Sequence, residues 1–243
     1  MGKRVLKCGR WHPIFLLAIG LMENIFPFLV IFAVVAFAVG GIIWGKYAER
    51  ERTKKMQQAA EDLGLPFYPT EDSSLLTRLS CFRLFTQGHG RKIKNMIHGD
   101  TEQVEIAIFD YQYTTGSGKN AKTRKQTVIY FESPDLQLPQ FAMRPESLFH
   151  KLGSLVGLKD IDFDSHPAFS SAFHLQGEDE PSVRQLFREE ILDHFEEHTG
   201  VCVEGRQQQF VYFRSSTRVA PEQIRSFMEE GYTIFSLMRP ANA

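Results

Sequence analysis

The chain has 243 residues, with 28 Lys and Arg against 29 Asp and Glu and a formal net charge of −1. Proteins that bind nucleic acid usually need a basic face, so a charge this close to zero argues against that class of function. The three cysteines, Cys8, Cys81 and Cys202, are few and odd in number, which is typical of a compartment that keeps thiols reduced. From the charge we therefore expect no nucleic-acid partner, and from the cysteines we expect a reducing compartment.

The N-terminal part contains an apolar run at 25–44 without a charged residue. A helix needs about 20 residues of this kind to cross a bilayer. Pro27 falls in the first turn of such a helix, and Trp44 and Tyr47 lie where aromatic rings prefer the headgroup zone. The run is too long for the apolar core of a usual signal peptide. We therefore predict one transmembrane helix over 25–45 rather than a buried core helix or a cleaved leader.

A second apolar stretch, 13–22, precedes the predicted span, and Glu23 and Asn24 separate the two. The stretch is either a re-entrant or interfacial segment, or translation begins at Met22. We favour the second explanation, because a carboxylate inside the bilayer costs about 2.5 kcal/mol or more. Residues 1–24 therefore form a separate N-terminal segment, of which 1–21 would not be translated.

The orientation of the span follows from the bases near its two ends. Five bases follow it: Lys46, Arg50, Arg52, Lys54 and Lys55. Four bases precede it and would cancel the asymmetry if they were translated: Lys3, Arg4, Lys7 and Arg10. With Met22 as the first residue, the positive-inside rule places the C-terminal part of the chain in the cytoplasm.

The span is followed by a predicted basic helical stalk, 46–64. Apolar residues recur in it at helical spacing, at Met56, Ala59, Ala60 and Leu63. Gly64 and Pro66 are typical of a helix end. The anchor and the stalk are therefore expected to form one long helix.

The remaining segment, 65–243, is long enough to bury a core of its own. Alternating apolar residues predict strands at 92–98, 104–113, 127–132, 141–144, 173–176, 201–204 and 210–214. The last two strands are expected to form a hairpin around Gly205. Apolar residues three and four positions apart predict amphipathic helices at 181–198 and 221–238. The expected fold class is α+β, with one N-terminal transmembrane helix, a soluble domain of antiparallel strands and two amphipathic helices near the C-terminus.

Three successive motifs carry a family resemblance: FDYQYTTGSGKNAKTRKQTV at 109–128, LPQFAMRPE at 138–146 and DIDFDSHPAFSSAFHLQGEDEPSVRQLF at 160–187. In their order they resemble a family of uncharacterised bacterial single-span inner-membrane proteins with a cytoplasmic C-terminal α+β domain. The likeness covers most of 80–240. It implies a bacterial origin, an inner-membrane location and a start close to the span, and it transfers no functional residue.

One motif resembles a metal site. His194, Glu197 and His198 fit the H-x-x-E-H pattern of inverted zinc proteases, in which two histidines one helical turn apart hold zinc beside a glutamate base. Both histidines fall at the end of a predicted surface helix, where a polar or cationic side chain suits the helix dipole. The remaining chain is also short for a third ligand on a downstream helix. We therefore expect no metal at these residues.

Two other stretches resemble ligand loops and fail their patterns. The segment 160–166 places Asp160, Asp162, Asp164 and His166 at every second position. Ser165 and Ser171 stand where a calcium loop needs Gly and Glu. The segment 115–119 resembles part of a phosphate loop but joins two predicted strands, whereas a phosphate loop joins a strand to a helix. We interpret the first as the solvent face of an extended segment and the second as a hairpin tip.

That hairpin tip carries a cluster of cations: Lys119, Lys122, Arg124 and Lys125. The cluster is either a solvated loop or a contact for anionic lipid headgroups or an acidic partner. No catalytic or cofactor-binding set can be nominated from spacing. We therefore expect a membrane-tethered cytoplasmic interaction or regulatory domain without a cofactor, held to the bilayer by its anchor and binding a protein or anionic headgroups. The alternative is a membrane-anchored hydrolase or metal-dependent enzyme that uses His194 and His198.

Overall fold

One long helix, α1 (His12–Leu63), forms the N-terminal part of the described chain. The structure is a computed structural model that describes residues 12–70, 73–148 and 160–240, with side chains from residue 30 onward. The chain divides into two compact units between Glu51 and Arg52, so that α1 contributes residues to both. Some residues used above lie outside the described part of the chain: Lys3, Arg4, Lys7, Cys8 and Arg10.

Within the described residues, one helix is long and apolar enough to cross a membrane. No residue of its apolar window is buried. Phe37 and Trp44, for example, are 86% and 74% exposed. A core helix would bury such side chains, since each one removed from water contributes about 1.5–3 kcal/mol. The helix is therefore a candidate membrane span, in agreement with the predicted one, while the side of the membrane on which the C-terminal part lies stays a prediction.

The end of α1 is part of the second unit. Gly64 adopts a φ of +70°, and its amide and that of Leu65 donate to Glu61 O and Ala60 O. This left-handed glycine is the expected way to end a helix, and it confirms the predicted end. Met56 and Ala60 are fully buried against the sheet. Part of the segment predicted as a stalk, from Arg52 onward, thus contributes to a core.

The second unit is built on one eight-stranded antiparallel sheet in the order β1-β2-β3-β4-β8-β7-β5-β6. The strands are β1 (Phe67–Thr70), β2 (His89–Asp100), β3 (Glu105–Thr115), β4 (Lys122–Glu132), β5 (Leu138–Pro145), β6 (Phe173–Gly177), β7 (Cys202–Gln207) and β8 (Gln209–Phe213). The helices after α1 are α2 (Ser73–Arg78), α3 (Arg83–Thr86), α4 (Pro167–Ala172), α5 (Glu180–Leu186), α6 (Glu189–Glu197) and α7 (Ile224–Met238). The predicted α+β fold class is confirmed.

Each face of the sheet has its own hydrophobic core. The end of α1 and helices α4 to α7 pack on the first face, where Phe131, Phe210 and Phe235 are among the buried side chains. The segment from α2 to α3 packs on the second face, where Phe85 contacts Phe109 and Tyr111. Strand alternation explains the division, because neighbouring residues of a strand point to opposite faces.

A buried ion pair fixes the end of α1 to the first face. The Arg52 guanidinium donates to both carboxylate oxygens of Asp110 on β3, at 2.6 and 2.7 Å. Asp110 also accepts from Asn95 Nδ2 at 2.9 Å and Thr127 Oγ1 at 3.1 Å. Thr53 Oγ1 donates to Asn95 Oδ1 at 2.8 Å. A bidentate, fully hydrogen-bonded pair of this kind fixes orientation, because each group would be costly to bury alone.

Two details of the C-terminal half differ from the prediction. The helix predicted at 181–198 is two helices, since the chain leaves helical geometry at Phe187 and Arg188. Phe187 is buried among aromatic rings there, and the Arg188 guanidinium donates to Leu237 O at 2.8 Å. The β7–β8 chain reversal lies at 207–208, between the partners Arg206 and Gln209, and so not at Gly205.

Gly205 instead lies inside β7, where packing requires a glycine. A β-carbon at this position would overlap the ring of Phe141 on the neighbouring strand β5. The sequence therefore correctly marks Gly205 as a special position. The reason is close packing against Phe141 and not a chain reversal. The sequence analysis also missed the short elements β1, α2, α3 and α4.

Candidate functional site

The second face of the sheet has an apolar half and a polar half. Strands β2, β3, β4 and β8 form the apolar half beneath the segment from α2 to α3. Ala142 on β5 pairs with Gln176 on β6 and with Glu204 on β7. Arg144 on β5 pairs with His174 on β6. These side chains share one face because they lie two residues apart on each strand. The polar half therefore gathers side chains from three parts of the chain.

A cavity of about 310 Å³ opens between the polar half and the segment from α2 to α3. The helical segment contributes the side chains of Cys81, Phe82, Arg83 and Thr86. The strands contribute Gln140, Phe141, Ala142, Gln176, Glu204 and Arg206, with Gly177, Glu178 and Gly205 completing the wall. The cavity thus combines apolar walls with charged and amide groups, as ligand sites commonly do.

Glu204 is the most deeply buried charge beside this cavity, with 2% of its side chain exposed. Its carboxylate accepts from Arg144 Nη2 at 2.7 Å and from the backbone amide of Leu84 at 3.2 Å. Arg83 Nη1 donates to Gln176 Oε1 at 2.8 Å. Burial, together with the nearby charge of Arg144, lowers the pKa of the Arg83 guanidinium from its ordinary value. Arg83 and Arg144 therefore approach each other around a single buried carboxylate.

Glu146, Asp160 and His174 form a second cluster at the β6 edge of the sheet. One ligand atom from each lies within 4.8 Å of the other two. His174 Nδ1 is 2.7 Å from Asp160 Oδ2 and 3.9 Å from Glu146 Oε2. The other oxygen of Asp160 accepts from the amides of Ile161 at 3.0 Å and Leu175 at 2.8 Å. Among the described residues, these three side chains have the geometry to hold a cation.

The thiols of the described chain are poorly suited to nucleophilic catalysis. Burial raises the pKa of the Cys202 thiol to about 12. Burial also raises the pKa of Cys81, although that side chain lines the cavity. Because the thiolate is the nucleophile, a raised pKa keeps both cysteines in their unreactive form near neutral pH.

The three residues of the zinc-protease motif lie at the end of α6. The imidazole rings of His194 and His198 stack with their centroids 4.4 Å apart. His198 Nδ1 lies 2.9 Å from the backbone oxygen of His194, and Glu197 is exposed. Burial, followed by the charge of His198, lowers the pKa of His194, so that its neutral form is favoured. The expectation that no metal binds here stays a prediction.

The predicted hairpin joins β3 to β4, and its four cations do not form one patch. Lys119 and Lys122 are exposed at the tip. Arg124 lies on the second face of the sheet, where Nη1 donates to Ser216 Oγ at 3.0 Å. Lys125 lies on the opposite face, since it is the next residue of the strand. The tip therefore retains two exposed cations of the four, and their role stays a prediction.

The residues of the polar half were missed by the sequence analysis, apart from Asp160, which was interpreted as solvent-exposed. Arg144 and Glu204 interrupt apolar strands, which is the one signal that marks them in the sequence. Their proximity depends on β5 pairing with both β6 and β7. Strand order of this kind cannot be read from alternation, because alternation fixes only which residues of one strand share a face.

These features define an α+β protein with a candidate membrane span and a polar cavity on one face of its sheet. By sequence, no family model matches the chain, and no curated protein matches it. By fold, the chain is similar to the crystal structure of the mycobacterial trehalose monomycolate transport factor A, TtfA, with a TM-score of 0.57. The two share 11% sequence identity, and the match covers 79% of this chain and 97% of that one. At this identity the likeness concerns the fold.

Proposed function

We propose that the protein is a membrane-tethered, non-catalytic accessory domain that binds a partner or the membrane surface on the cytoplasmic side of a bacterial inner membrane. The observation that carries this proposal is the helix with the exposed apolar side chains, among them Phe32, Phe37 and Ile43. Such a surface is costly in water and favourable in lipid. The tether determines where the domain works.

The cytoplasmic side is supported by the bases that follow the span. Lys46 and Arg50 lie within the first turns after Trp44, where Lys and Arg weigh most in the positive-inside rule. Arg52 counts toward the same asymmetry, although in the folded domain it is paired with Asp110.

An accessory role is supported by two observations. The fold is similar to that of a protein named as a transport factor. The thiols of Cys81 and Cys202 have raised pKa values, which disfavours a cysteine nucleophile. The polar cavity offers the domain a place to hold a partner's side chain, since it joins apolar walls to the charges of Arg83 and Glu204.

The tether is tested by membrane fractionation of the full chain. The wild type should stay in the membrane pellet after alkaline carbonate extraction. A Val34→Asp/Val35→Asp variant should move to the soluble fraction, because a carboxylate at the centre of a span costs about 2.5–3.5 kcal/mol. A Val34→Ala/Val35→Ala variant is the matched control and should stay in the pellet. Wild-type protein in the soluble fraction would contradict the tether.

The side of the membrane is tested by reporter fusions after Ala243. A reporter active only in the cytoplasm should work, and one active only in the periplasm should not. The reverse pattern would contradict the proposed location and leave the tether intact.

Membrane-surface binding through the hairpin is tested with a version of the chain that starts at Lys46, which keeps Arg52 and the buried residues of α1. It should co-sediment with phosphatidylglycerol vesicles at low salt, since each cation near an anionic surface contributes about 1 kcal/mol. Lys119→Gln/Lys122→Gln should weaken this binding, and added salt should screen it over a Debye length of ~8–10 Å. Lys125→Gln, on the opposite face, is the control. Equal sedimentation of the unsubstituted protein, the Lys119→Gln/Lys122→Gln variant and the Lys125→Gln variant would favour a protein partner.

A further inference from the structure

Three side chains with ligand atoms meet at the outer edge of the sheet, although they are distant in sequence. Glu146 directly follows β5, Asp160 begins the segment that runs beside β6, and His174 lies on β6. All three are partly shielded from solvent, with side-chain exposures of 35%, 28% and 12%. Convergence of an imidazole and two carboxylates from three separate segments is unusual for surface groups, which are mostly solvated singly.

The backbone holds the carboxylate of Asp160 in place. Its Oδ1 accepts from the amides of Ile161 and Leu175, and the Ile161 amide also donates to Leu175 O at 2.8 Å. These bonds direct Oδ2 toward His174 Nδ1. Metal sites commonly rely on outer hydrogen bonds of this kind to orient their ligands before the ion arrives.

The spacing of the ligand atoms suits a small divalent ion. With ligand bonds of about 2.0–2.2 Å, tetrahedral geometry places neighbouring ligand atoms about 3.3 Å apart. The two distances from His174 Nδ1, 2.7 Å to Asp160 and 3.9 Å to Glu146, lie on either side of that value. The two carboxylate ligand atoms lie within 4.8 Å of each other. Side-chain shifts of about 1 Å would therefore bring the three atoms to bonding positions around one ion.

The ligand types select among metals. Calcium takes six to eight oxygens, and magnesium keeps an octahedron of oxygens, so neither favours an imidazole nitrogen. Imidazole with carboxylates suits zinc and its first-row neighbours. Two carboxylates with a neutral histidine leave two negative charges for the ion to offset. The nearby cation Arg144 is already paired with Glu204 at 2.7 Å.

We propose that Glu146, Asp160 and His174 bind one divalent transition-metal ion, with zinc the first candidate. The ion would tie the end of β5 and the segment at 160–161 to β6, and it would keep a fourth position open for water or a ligand. This site is separate from the zinc-protease motif at the end of α6. It goes beyond the tether and accessory role and does not depend on either.

The test uses the full chain in detergent, freed of metal with a chelator and then titrated with Co²⁺, whose visible absorption reports the ligand geometry. The neighbouring histidines His194 and His198 are a second set of imidazoles that a metal ion can meet, so every titration is made in a His194→Ala/His198→Ala background. We expect one Co²⁺ per chain, displaced by Zn²⁺ and not by Mg²⁺. Far-ultraviolet circular dichroism of the metal-free samples confirms that each variant is folded.

Loss of a ligand should weaken Co²⁺ binding about tenfold or more. His174→Gln tests the imidazole, and Glu146→Gln tests a ligand that does not hold the backbone of β6. The matched control is His166→Gln, because His166 Nε2 also faces a single carboxylate, Asp193, at 3.2 Å. Unchanged binding in both test variants would overturn the proposal. Absence of binding in the His194→Ala/His198→Ala background would also overturn it.

Discussion

Two buried ion pairs, one on each face of the sheet, differ in how completely their groups are bonded. On the first face, Asp110 accepts hydrogen bonds from Nε and Nη2 of Arg52 and from the side chains of Asn95 and Thr127. On the second face, Arg144 donates to Glu204 through one nitrogen, and its buried Nε has no hydrogen-bond partner among the residues that the structure describes. Glu204 also lines the cavity described above.

The difference separates a structural pair from one that can still take a ligand. A closed network around a buried charge fixes geometry and leaves no capacity for another group. Among the described residues, the Arg144 guanidinium is incompletely bonded while its partner Glu204 lines the cavity, and a buried donor without a partner costs about 1–3 kcal/mol. We therefore assign Arg144 and Glu204 to the proposed binding surface at the cavity. Arg52 and Asp110 stabilise the fold.

The largest expected effect is on the closed pair. Asp110→Ala should lower the free energy of unfolding by about 3–5 kcal/mol, because it leaves the Arg52 charge buried and uncompensated. Chemical denaturation of the full chain in detergent, followed by fluorescence, measures the change. Asp100→Ala, at the exposed end of β2, is the control and should change stability little. A similar small loss in both variants would remove the distinction between the two pairs.

A smaller effect is expected at the open pair. Glu204→Gln should cost about 1–3 kcal/mol, because the amide oxygen of Gln can still accept hydrogen bonds from Arg144 and from the Leu84 amide. The double change Glu204→Leu/Arg144→Met should recover much of that loss, because replacing both partners of a buried pair with apolar groups is often neutral. A double variant less stable than Glu204→Gln would indicate that the charges themselves stabilise this face.

A third expectation concerns acid and a partly exposed pair. The hydrogen bond from Arg78 lowers the pKa of the Glu105 carboxyl below its ordinary value of 4.5, and His98 adds to the effect. At a given pH in this range the folded state therefore binds fewer protons than the unfolded state. The stabilisation that the ionised Glu105 contributes is present above pH 4.5 and is lost as the pH falls through the lowered pKa. Glu105→Gln should lose about 1 kcal/mol or less at pH 7. Its stability should also fall less than that of the wild type on acidification, as measured by denaturation at pH 7 and pH 3.

The smallest effect is expected at the end of α6. His194→Ala/His198→Ala should cost at most about 1 kcal/mol at neutral pH, because the lowered pKa of His194 keeps it uncharged and limits its interaction with the helix dipole. Thermal unfolding of the variant and the wild type gives the comparison. A loss of stability as large as that of Glu204→Gln would contradict this expectation. It would show that the stacked rings of His194 and His198 contribute to packing.

The strands β2 to β8 were predictable because their alternation is local. Predicted strands such as 92–98 and 127–132 lie inside β2 and β4, and the end of α1 at Gly64 follows from glycine chemistry. The break at Phe187 was not predictable, because the apolar spacing continues across it while tertiary contacts decide the backbone. The cluster of Glu146, Asp160 and His174 and the cavity depend on strand order, which is a property of the whole sheet.

The buried residues at the end of α1 also limit how the domain could be released from the membrane. Met56 and Ala60 are fully buried, and Arg52 is one half of a closed ion pair. A protease that cuts between Arg52 and Leu63 would remove part of the core, and the product would be a destabilised domain prone to degradation. Only a cut before Arg52 would leave the domain whole. Shedding by proteolysis would therefore require cleavage in the short segment between the candidate span and Arg52.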